Sequence, residues 1–104
     1  MNENFEKILS DCRPDWAFWT CNGTVIRNLH ELKNTIEGLN DWGFTYHVNK
    51  DKDDFAKWVG EVIGDERLSK TLAHIKDKQK YLHAIARRLG SLEKDADRAM
   101  HAAV

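Results

Sequence analysis

Apolar residues recur every three or four positions along most of this chain, the spacing of amphipathic helices, and one short stretch breaks the rhythm. Phe5, Ile8, Leu9 and Cys12 predict a short helix over 3–12. Arg13-Pro14-Asp15 ends it, because a proline ring disfavours helix at the preceding residue. Residues 16–26, Trp-Ala-Phe-Trp-Thr-Cys-Asn-Gly-Thr-Val-Ile, are the strand-like exception. Aromatic and β-branched residues flank Asn22-Gly23, a strong hairpin signal, and so small a hairpin needs helices behind it.

Asn28-Leu29-His30-Glu31 resembles a capping box, and Leu29, Leu32, Ile36 and Leu39 then form one stripe, giving a helix that stops near Gly38. Asn40-Asp41 is placed to cap a short helix holding Trp42, Phe44, Tyr46, His47 and Val48, although Gly43 weakens it. Lys50-Asp51-Lys52 reads as a solvated loop. Asp53 or Asp54 caps the next helix, built on Phe55, Trp58, Val59, Val62 and Ile63 and closed by Gly64. From Asp65 onward, Leu68, Leu72, Ile75, Gln79, Leu82, Ala86, Leu89, Glu93, Ala96, Met100 and Ala103 alternate in fours and threes, a heptad seam. Gly90-Ser91 invites a break, so a strong helix is expected to about Leu89, with a second or frayed helix after it.

The expected fold is therefore mainly α: a compact bundle of short helices with a small β-hairpin near the N-terminus and a long C-terminal amphipathic helix. Residues 1–90 are read as a single domain and 91–104 as a helical extension or frayed tail. A chain of 104 residues hides roughly two-thirds of its extended surface on folding, enough for one core.

Charge is unevenly spread. The net charge is −1, yet residues 1–65 carry seven Lys/Arg against twelve Asp/Glu, and residues 66–90 carry seven against two. An acidic front and a basic back attract each other within the fold, between copies, or toward separate partners. Cys12 and Cys21 form no CxxC pair, the N-terminus does not read as a secretory leader, and no apolar run reaches the ~20 residues of a membrane span. These features point to a cytoplasmic protein with reduced thiols and no membrane partner.

The middle of the chain resembles an uncharacterised small prokaryotic domain family that bears only a domain-of-unknown-function label. The matching residues are Phe18-Trp19-Thr20-Cys21-Asn22-Gly23, Asn28-Leu29-His30-Glu31-Leu32, Phe44-Thr45-Tyr46-His47-Val48-Asn49, Asp54-Phe55-Ala56-Lys57-Trp58-Val59, and Gly64-Asp65 with Leu68. They span roughly residues 16–72. Asp53 departs from the pattern, which favours Asn before Asp-Phe. The resemblance implies a fold and no activity.

The sharpest chemical constellation is the cluster Tyr46, His47, Asp53, Asp54 and Trp58. A carboxylate from Asp53 or Asp54 would fix the His47 tautomer and leave the other ring nitrogen as a base or ligand, with Tyr46 and Trp58 as walls. The plainer reading makes His47 a buried polar anchor between two short helices. Cys12, Cys21, His30, His47, His74 and His83 show no metal-ligand spacing, no Gly-rich phosphate loop is present, and neither metal nor cofactor is expected. A basic face, Lys70, Lys76, Lys80, Arg87 and Arg88, with Lys78, His74, His83 and Tyr81 beside it, would suit phosphates, but a pI near 6.5 is low for a dedicated nucleic-acid binder.

The leading expectation is a non-catalytic protein–protein interaction or assembly module, with a homo-oligomer formed through the C-terminal helix. The alternatives are nucleic-acid binding by the basic helix 67–88, and a metal-dependent or acid/base site around His47 and Asp54. Four tryptophans belong mainly to the core, with one or two exposed at a contact site.

Overall fold

A computed structural model describes residues 5–102, with side chains as far as Arg98. Residues 3–4 of the first predicted helix, and the seam positions Met100 and Ala103, lie outside the described side chains. The fold is mainly α, with one two-stranded antiparallel hairpin. Helix α1 spans Phe5–Leu9, followed by a 3₁₀ turn over Pro14–Trp16. Strand β1 is Phe18–Trp19 and β2 is Val25–Ile26, paired Phe18 to Ile26 and Trp19 to Val25. The connecting loop is five residues long, wider than a two-residue Asn-Gly turn. Thr20 N–H donates to the Thr24 carbonyl, and Gly23 takes φ +88°, a conformation that favours glycine.

Helix α2 spans Leu29–Gly38. Asn28 Oδ1 caps it by accepting from Glu31 N–H, while Glu31 Oε1 reaches back to Arg27 N–H, one residue beyond the reciprocal bond of a capping box. Helix α3 (Asp41–His47) is capped by Asn40, and α4 (Asp54–Trp58) by Asp53. Beyond Trp58 the helix widens into one π-type turn over Val59–Ile63, which Gly64 closes at φ +87°. Gly60 lets that turn lie against α5 (Glu66–Ala73), where a Cβ would stand 2.8 Å from Ser69 Oγ.

The last helix, α6, runs Lys78–Ala102 without interruption and packs on α1, α2 and α5. This corrects two expectations. First, the heptad does not run unbroken from Asp65: residues 74–77 separate α5 from α6. Asp77 captures Lys80 N–H at 2.9 Å and so starts a new helix in the middle of an apolar pattern. Second, the chain does not break at Gly90-Ser91, because Leu89 and Leu92 on either side are both buried. Their packing outweighs the ~1 kcal/mol that glycine costs a helix.

Of the expected seam positions Leu82, Ala86, Leu89 and Glu93, only Leu89 is buried, and the buried stripe of α6 is Tyr81, Ile85, Arg88, Leu89 and Leu92. A helix wedged among three others buries a broad 3.6-period face, not a narrow 3.5-period seam. The rest of the core comes from Ile26, Leu29, Leu32, Ile36, Phe44, Phe55, Val59, Ile63, Leu68 and Leu72.

Candidate functional site

His47 ends α3 facing inward, 4% exposed, among the rings of Phe18, Tyr46 and Phe55 at centroid distances of 5.2, 5.0 and 4.9 Å. Its Nε2 accepts the Cys21 backbone N–H at 3.0 Å. The proton therefore sits on Nδ1, which lies 2.9 Å from Asp54 Oδ2 and donates to it. Asp54 also accepts from Lys52 Nζ at 2.8 Å, and the Lys52 ammonium lies over the Tyr46 ring. Burial pulls the Asp54 carboxyl upward, but hydrogen bonds from Lys52 and His47 outweigh it and hold the group below its usual range. Both imidazole nitrogens are in use, so the ring offers no base to a substrate. It ties the hairpin loop, α3 and the start of α4 together.

Of the two carboxylates weighed for this partnership, Asp53 does something else. Its Oδ1 accepts from Ala56 N–H at 2.9 Å and from Tyr81 O–H at 2.7 Å, and its Oδ2 is buried without a partner. Burial raises its carboxyl above the ordinary value, and raises the Tyr81 hydroxyl, beside the same carboxylate, as well. Trp58 does not wall the imidazole. Its ring packs edge-on against Phe18, and its Nε1 donates to the Trp16 carbonyl at 2.8 Å.

The basic face divides. Arg88 is not on it: the side chain is buried and donates to Asp65 at 2.7 and 3.2 Å. Burial works against both charges, pushing the Asp65 carboxyl up and the Arg88 guanidinium down, and the forked pair answers that cost. Lys78 is bound to the carbonyls of Glu37 and Leu39 at the end of α2. Tyr81 is fully buried. Lys70 and Lys76 are exposed and lie outside the lining of the groove formed by the others.

What is left forms a groove of about 690 Å³ between α5 and α6. Leu68, Ile75 and Ala84 give it an apolar floor, and Lys80, His83 and Arg87 stand along one side. No carboxylate lines it. Arg67 and Thr71 of α5, with Gln79, the buried Arg88 and Ser91 of α6, complete its walls; of these, Thr71 and Ser91 were not expected at a site. The expected residues Lys80, His83 and Arg87 do come together, being spaced to share one helix edge. A smaller depression of about 360 Å³ continues past Arg87 toward Lys94, Asp95 and Arg98.

Three of the four tryptophans are exposed, Trp16 at 52%, Trp19 at 69% and Trp42 at 67%, more than expected, and only Trp58 is core. Trp42 lies 5.5 Å from the Tyr46 ring, centroid to centroid. Among the described residues no group of His, Cys, Asp and Glu is arranged to hold a metal, and no helix is long and apolar enough to cross a membrane. Comparison of the chain with protein-family models, with curated proteins and with solved structures found no match.

Proposed function

We propose that this protein is a non-catalytic interaction module that holds a protein partner in the groove between α5 and α6. One observation carries the reading: an apolar floor beside a row of basic side chains in which Lys80 and Arg87, flanking His83, have no acidic partner among the described residues. Grooves of this make-up suit an amphipathic segment, whose apolar side fills the floor while its polar side meets the charged edge. The acid/base alternative loses its support, since His47 spends both nitrogens on Cys21 and Asp54. Nucleic-acid binding is less favoured. It would use a broad exposed face, whereas Arg88 and Lys78 are turned to structural work and an apolar floor adds nothing for phosphates. Self-association through the heptad seam is less favoured too, because the large apolar residues Tyr81, Ile85, Leu89 and Leu92 of α6 serve the chain's own core. On this proposal the protein acts in the cytoplasm, as a member of the prokaryotic domain family it resembles.

The test is photocrosslinking in native cells from a photoreactive residue at Gln79, with Lys50, an exposed position outside the groove lining, as the control site. We expect one protein, identified by mass spectrometry, whose purified form binds the wild-type chain but not an Ala84→Trp variant with its floor filled. Crosslinks to nucleic acid, or none above the Lys50 control, count against the proposal.

A further inference from the structure

Lys80, Arg87 and Lys94 lie seven residues apart on α6, and all three are exposed. Seven residues turn an α-helix through almost two full revolutions, so the three cations keep to one edge at steps of about 10.5 Å. The first two border the groove, and the third borders the depression that continues it. Beneath this edge lie Ala84 and Ser91, also seven apart, whose small side chains let another backbone approach closely. Lys80, Arg87 and Lys94 have no carboxylate partner among the described residues, while Asp95, the one acid in the continuation, is 3.8 Å from Arg98.

Resting on the module reading, we infer that the partner segment is an amphipathic α-helix with an acidic residue once per heptad, lying along α6 with its carboxylates against Lys80, Arg87 and Lys94 and its apolar side on Leu68, Ile75 and Ala84. Spacing selects this occupant. A second helix running alongside repeats every seven residues at the same ~10.5 Å, so each carboxylate meets a cation. An extended strand presents same-side residues every ~6.6 Å, and a nucleic-acid strand presents a phosphate about every 3.4 Å of duplex axis, so neither keeps step with these cations. The chain does not supply such a helix itself: among the described residues, Asp54 and Glu61 are seven apart but flank the core residues Phe55, Trp58 and Val59. A second copy is therefore not the occupant.

The probe is a fluorescein-labelled three-heptad peptide with Glu once per heptad and Leu on the adjoining face, titrated against the full chain by anisotropy. Three controls accompany it: the same composition with Glu respaced at five residues, the Glu→Lys peptide, and a labelled DNA oligonucleotide. We expect the heptad peptide to bind at least about tenfold more tightly than each control. The triple variant Lys80→Glu/Arg87→Glu/Lys94→Glu, checked by circular dichroism for an unchanged fold, should lose at least about tenfold for the acidic peptide and recover binding to the Glu→Lys peptide. Equal binding of the respaced peptide, absence of that exchange, or preference for DNA overturns the inference. If the peptide fails while Gln79 still crosslinks a protein whose purified form requires an open floor, the acidic-helix inference falls and the module reading stands; without that crosslink both fall.

Discussion

Replacing the His47 imidazole by hydrocarbon would take the acceptor from the part-buried Cys21 N–H and leave Asp54 Oδ2 to Lys52 alone. An unsatisfied donor in a buried setting costs about 1–3 kcal/mol, so His47→Leu should lower the urea midpoint by that much stability at unchanged slope. An unmoved midpoint would remove the fastening role. The neighbouring carboxylates act oppositely with pH. Asp54, held below its usual range, stabilises the fold above the unfolded carboxylate pKa, and that stabilisation disappears as pH falls through the folded value. Asp53, raised chiefly by burial, is penalised when ionised, so its cost is present above the raised folded value and vanishes below the unfolded one. Asp53→Asn keeps an acceptor for Ala56 and Tyr81 without the charge. Its thermal midpoint should exceed wild type at pH 7, with the difference closing below about pH 3.5; a difference that persists in acid would show that ionisation is not its source. At this scale the sequence was readable where the rule is local, as with the caps at Asn28, Asn40 and Asp53. The partner of His47 Nε2 was not readable, because a backbone N–H from position 21 has no residue-type signature.

Leu92 decides how far the folded body extends. It is 1% exposed and lies past Gly90-Ser91, the point at which local propensity favours a break. Leu92→Ala should therefore cost about 2–5 kcal/mol of unfolding free energy, and ending the chain after Ser91 should cost at least as much. A truncated chain as stable as the full one would mean that the end of α6 is a mere extension. Helix type and most helix starts were legible because apolar spacing and capping residues are local signals. The seam was misplaced because fours and threes fit both a 3.5-residue and a 3.6-residue period over short stretches, and only the three packing partners of α6 choose between them. The same ambiguity hid the cap at Asp77 inside an apolar run. The π-type turn after Trp58 keeps Val59, Val62 and Ile63 at ordinary helical spacing, so its widening left no trace in the pattern.

The division of the chain into acidic and basic parts becomes, in the folded molecule, one buried link and one open edge. Asp65, 1% exposed, both caps α5 through Leu68 N–H and receives the Arg88 fork, joining the start of α5 to the middle of α6. Composition showed the imbalance but could not say which cations turn inward: Arg87 and Arg88 are adjacent in sequence, and a 100° rotation leaves Arg87 exposed while Arg88 is buried against the groove wall. Arg88→Met should cost about 3–5 kcal/mol, because it leaves the buried Asp65 carboxylate without its forked partner, with the Arg67 charge and backbone donors left to offset burial. Asp65→Asn/Arg88→Met removes both charges while the amide oxygen still accepts from Leu68, so the double variant should be more stable than Arg88→Met alone. Urea unfolding of the two single variants and the double closes that cycle. Strict additivity would mean that the ion pair does not couple the helices. Strong coupling, with the heptad-peptide affinity unaltered in the double variant, would separate the buried cation that builds the groove wall from the exposed ones on its edge.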